Sequence, residues 1–108
     1  MKKTLTLLLA VILLFTLAAC GSSAPDYSSA EELEAALNSG KDVTGKTVSF
    51  TVKEYEPASF FGYNMQAGEH LNFCSSSDPH VSAGDQVTVK VVEVEDFLGS
   101  YIISYEMK

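Results

Sequence analysis

Hydrophobic positions fall into two regimes along the chain. Leu5 to Ala19 is an almost unbroken apolar run behind Met1-Lys2-Lys3, whereas from Ser28 onward apolar residues recur with short, regular periods. The first of these periods is helical. Ser28 and Ser29 each precede a glutamate by three residues, Glu31 and Glu32, which makes a capping box in either register. Ala30 to Leu37 then sets Leu33, Ala36 and Leu37 on one side, and Gly40 supplies a left-handed stop. A helix of about three turns is marginal alone in water, so its apolar face must dock on something else. Glu31, Glu32 and Glu34 read as acids complementing the helix dipole.

After Gly45 the period becomes two. Val48, Phe50 and Val52 alternate with polar residues across Lys46 to Lys53, the pattern of a half-buried strand. Tyr63, Met65 and Ala67 lead through a two-residue Gly68-Glu69 turn to Leu71 and Phe73, which predicts a hairpin. Ser75 to Gln86 is a long polar connection with Val81 as its one anchor. Val87, Val89 and Val91 alternate again, and Val92 and Val94 then fall out of phase, as a β-bulge would make them. The chain turns near Gly99 into a last strand, Tyr101 to Met107, with Ile102 or Ile103 inward. Glu54 to Gly62, with Pro57 at its middle, reads as a second long connection.

Five short antiparallel strands and one N-terminal helix point to a mainly β fold, a small closed or partly open barrel, since closure removes exposed sheet edges. An open meander carrying a packed helix is the other arrangement these elements allow. Val43-Thr44-Gly45-Lys46-Thr47-Val48 and Ser82-Ala83-Gly84-Asp85-Gln86-Val87-Thr88-Val89-Lys90 resemble the strand entries of the extracytoplasmic OB-fold domains of the tRNA-anti-like and bacterial OB-fold groups. The resemblance implies an OB-like five-stranded barrel over residues 30–108. It departs from that pattern in placing its helix before the first strand rather than between the third and fourth.

The N-terminus places the chain in the cell. Its apolar run is shorter than the roughly 18–20 residues a spanning helix needs and ends in small residues, as a secretion signal does. Leu17-Ala18-Ala19-Cys20, followed by Gly21, resembles the lipobox of bacterial lipoproteins. That resemblance implies a signal peptide over residues 1–19, cleavage before Cys20, and acylation of Cys20, so that the protein sits on the extracytoplasmic face of the cell membrane. Two acyl chains anchor stably where one is marginal. Residues 20–29 are then the lipidated cysteine and a flexible tether, and with Cys20 acylated Cys74 has no disulfide partner within the chain.

Charge narrows the function. From Cys20 onward five lysines face fourteen acids (5 − 14 = −9), and no arginine occurs anywhere. Such a domain repels phosphate backbones, and nucleic-acid binding is not expected. The residues show no Ser-His-Asp, Cys-His or His-Glu-x-x-His arrangement and no phosphate loop, so no catalysis and no cofactor are expected. His70, Cys74 and His80, with Asp78 beside them, have no known metal-ligand spacing, and Glu93, Glu95 and Asp96 read as a solvated acidic rim. Cys74 reads as a small buried hydrophobe. What stands out is Tyr55, Phe60 and Phe61 in the long connection after the first strand, Glu54 to Gly62. In an OB-like barrel they approach Asp96 and Phe97, giving an aromatic platform edged by carboxylates that suits a cell-envelope glycan, a peptide or a protein partner. The expected function is a lipid-anchored binding or adaptor module. The alternatives are a structural envelope lipoprotein, should those aromatics be buried, and a metal handler, should His70, Cys74 and His80 converge.

Overall fold

The structure is a computed structural model and describes residues 24–108; the expected signal peptide, the expected lipidation site Cys20 and the start of the expected tether lie outside the described residues. Helix α1 spans Ala30–Asn38 and is followed by strands β1 (Thr47–Thr51), β2 (Glu54–Ser59), β3 (Gly62–Ala67), β4 (Leu71–Ser75), β5 (Gln86–Phe97) and β6 (Ser100–Met107). The six strands form one curled, mixed sheet in the order β1-β5-β6-β4-β3-β2.

Capping resolves the register that the two serines left open. Ser29 is the N-cap, its hydroxyl accepting from Glu32 N, while the Glu32 carboxylate accepts from Ser28 N and Ser28 Oγ. At the other end Gly40, at φ 81°, closes the helix with Gly40 N bonded to Leu37 O and Lys41 N to Ala36 O. Ala30, Leu33 and Ala36 are buried against a core of Val48, Phe50, Val52, Met65, Leu71, Phe73, Val89, Val91 and Ile103.

The sheet departs from the sequence expectation in three ways. There are six strands rather than five, because Glu54–Ser59 is β2, paired antiparallel with β3. Pro57 is tolerated there because the register slips between Glu56 and Ser59, so no ladder bond needs its missing N–H. The sheet is also not wholly antiparallel, since β4 and β6 pair in parallel. The ten residues of 76–85 let β5 leave the hairpin's edge, so that β6 returns alongside β4 in the same direction. Finally, Ala67 pairs with Leu71, so the β3–β4 turn has three residues, Gly68 to His70, rather than two.

The curl arises at Val52-Lys53. Val52 N donates to Asp85 O at 2.8 Å and Val52 O accepts from Gly84 N, whereas Lys53 N donates to Gln66 O on the opposite side. One residue apart, the backbone bonds toward the two ends of the sheet and draws them together. The expected bulge is present between Val91 and Glu93, leaving Val92 exposed and turning Val94 back toward the core. Leu98 (φ 53°) and Gly99 (φ 86°) make the tight β5–β6 turn, and Ile103, not Ile102, is the inward isoleucine.

Candidate functional site

Two hairpin tips meet on one side of the sheet. At the β2–β3 tip the Ser59 hydroxyl donates to Gly62 O and accepts from Phe61 N, fixing Phe60 and Phe61 as the turn. Gly62, at φ 94°, lies so close to Ser75 O that a Cβ would come within 2.6 Å of it. Phe61 packs edge-on against Phe60 (5.1 Å, 82°) and against Phe97 (5.6 Å, 77°) from the end of β5. Phe60 is 93% exposed, Phe97 48%, and Leu98 at the neighbouring turn 92%. Three of the expected aromatic residues are therefore together and accessible, joined by Leu98, which the sequence reading passed over.

The other two expected residues stand elsewhere. Tyr55 packs against the core and hydrogen-bonds Asp78 across the long loop, away from the aromatic knot. Asp96 is exposed, and strand alternation sends it to the face opposite Phe97. The carboxylates that line the site are Glu93 and Glu95, which share a face with Phe97. Together with Phe61 of the tip, Cys74 and Ser75 of β4, and Ile102 and Ser104 of β6, they line a groove of about 430 Å³. Burial pushes the Cys74 thiol up to about 11, so at neutral pH it is a protonated part of the wall. A larger groove of about 650 Å³ lies by the start of α1, where several polar side chains are already engaged: Ser28 and Ser29 cap the helix, and Gln86 bonds to Ser49 and Thr51.

Asp78 ties the long loop down. It accepts from the Tyr55 hydroxyl and from His80 N at 2.8 Å, with the His80 ring 3.7 Å away and His80 at φ 56°. Partial burial, then the Asp78 hydrogen bond and charge, push Tyr55 up to about 12. The folded protein thus holds this phenolic proton more tightly than the unfolded chain, whose value is 10.0. The resulting stability is complete below that pH and is lost as pH rises from there toward about 12. Alkaline unfolding followed by circular dichroism should be shallower over this window in Tyr55→Phe; equal slopes would contradict the assignment.

Glu34 does more than complement the helix dipole. It is buried, its Oε1 accepting from Glu69 N (2.9 Å) and its Oε2 lying 2.9 Å from His70 Nδ1, so it clamps α1 onto the β3–β4 turn. Burial opposes its ionisation, yet these hydrogen bonds and the nearby His70 outweigh that and lower its pKa. Nothing in its spacing distinguishes it from Glu31, because the turn it meets is distant in sequence. Glu34, Glu69 and His70 have potential ligand atoms within 4.8 Å of one another and are the residues that could hold a metal ion; among the described residues His70, Cys74 and His80 form no such group. Gly68, at φ 57°, leaves room for Glu34 Oε1 where a methyl group would collide with it. Gly68→Ala is expected to cost about 1–3 kcal/mol in urea unfolding, through backbone strain and a displaced clamp; an unchanged midpoint would count against this clamp.

No family model, curated protein or solved structure matches the chain.

Proposed function

We propose that this protein is a lipid-anchored, non-catalytic adaptor on the extracytoplasmic face of the cell membrane, which holds a cell-envelope partner through its two aromatic hairpin tips. The observation that carries this reading is the exposure of Phe60, Phe97 and Leu98 around Phe61. Large apolar side chains grouped at loop tips mark interaction surfaces in soluble domains. The lipobox at Leu17 to Cys20 supports the anchor, and a formal charge of −9 from Cys20 onward speaks against nucleic acid as the partner. The strand order supports the OB-like reading. If β1 and β2 count as one strand bent at Val52-Lys53, the circuit has five strands with one parallel pair.

The experiment is site-specific photocrosslinking in the cells that make the protein, with a photoreactive residue at position 60 and another at the remote exposed position 31. The adaptor reading expects a discrete adduct from position 60 alone, and expects Cys20→Ser to lose both lipid label and adduct. Equal or absent adducts from both positions would favour a structural envelope lipoprotein without a discrete ligand.

A further inference from the structure

We infer that the groove beside the aromatic tips receives a lysine- or arginine-bearing extended segment of the partner polypeptide, an inference that rests on the adaptor reading. Its walls carry complementary pieces for such a side chain. Glu93 and Glu95 line one side. Among the described residues the ion pairs are His70–Glu34 and His80–Asp78, and neither groove carboxylate is ion-paired with a described lysine or histidine. Ile102 and the protonated Cys74 give an apolar floor for an aliphatic stem. Phe61 closes the end, where a ring attracts an ammonium or guanidinium group.

The surrounding charge reinforces this choice. Acids outnumber lysines fourteen to five from Cys20 onward, and a concave acidic site in such a domain concentrates cations and speeds their arrival. A bare phosphate or an anionic glycan would meet repulsion in this groove, and a neutral sugar would leave the two carboxylates without an opposite charge. A polypeptide also explains the neighbouring tips, since Phe60 and Leu98 can take apolar residues flanking the cation.

The test uses the full-length chain in zwitterionic micelles and a fluorescein-labelled peptide of alternating lysine and serine, read by anisotropy at physiological salt. Saturable binding is expected. Removing two charges in Glu93→Gln/Glu95→Gln should weaken it at least about tenfold, while Glu31→Gln/Glu106→Gln, which removes the same charge elsewhere, should weaken it less than about threefold. Phe61→Leu keeps apolar bulk without a ring and should weaken binding about threefold or more with unchanged circular dichroism. Absence of saturable binding, or equal losses in the two double variants, overturns the inference. If that happens while the position-60 adduct persists, the adaptor reading stands and only the cationic segment is wrong; if the adduct is absent too, both fall.

Discussion

Phe73→Ala is expected to remove about half or more of the protein's folding stability. Phe73 is fully buried, stacked on Phe50 at 4.2 Å and 14°, and edge-on to Tyr105 at 6.2 Å. Its strand, β4, lies between β3 and β6, so the cavity would open at the middle of the sheet. Truncating a buried phenylalanine to alanine costs about 3–5 kcal/mol, against a total of about 5–10 kcal/mol for a domain of this size. With Cys74 free, no disulfide within the described residues limits the unfolded chain. Urea unfolding followed by circular dichroism gives the comparison. The milder Phe73→Leu should lose only about 1–2 kcal/mol and remain folded. A Phe73→Ala protein with the parent's midpoint would remove Phe73 from the centre of the core.

Phe60→Ser/Phe97→Ser should have the opposite profile, with function lost and stability kept. Neither ring is buried deeply enough for its removal to leave a core cavity, so the melting temperature should hold or rise slightly. Binding should suffer, because aromatic anchors at an interface commonly account for 2 kcal/mol or more apiece, about thirtyfold each. The measurement is the yield of partner adduct from a photoreactive residue at Leu98 in the parent and in the double variant. A drop of at least about tenfold is expected. An unchanged yield would mean that the tips are exposed for some reason other than partner binding.

The two variants separate what the tips do from what the core does, and that separation was only partly legible beforehand. Phe60 and Phe61 stood out because aromatic residues in a loop-like segment need an explanation, either a core to cap or a partner to meet. Their company was harder to foresee. Tyr55 is in the same segment, yet it falls on the inward side of β2 and bonds Asp78, because the segment is a strand whose side chains alternate. Pro57 had argued for a loop, and the slip between Glu56 and Ser59 is what let a strand accommodate it. Glu93 and Glu95 replace Asp96 at the groove because the bulge at Val92 reverses which residues of β5 face outward.

By itself the sequence determined the local pieces of this protein: the helix with a serine cap and its Gly40 stop, the inward valines of β1 and β5, the β3–β4 hairpin and the bulge at Val92. Each depends on residues a few positions apart, where periodicity, capping and backbone preference act directly. Only the tertiary structure decided the parallel pairing of β4 with β6, the clamp of Glu34 on the Gly68–His70 turn, and the meeting of Phe61 with Phe97. Those contacts join residues 30 or more positions apart. Their partners are selected by which apolar faces can be buried together once the chain curls at Val52-Lys53, a choice that no short window of sequence contains.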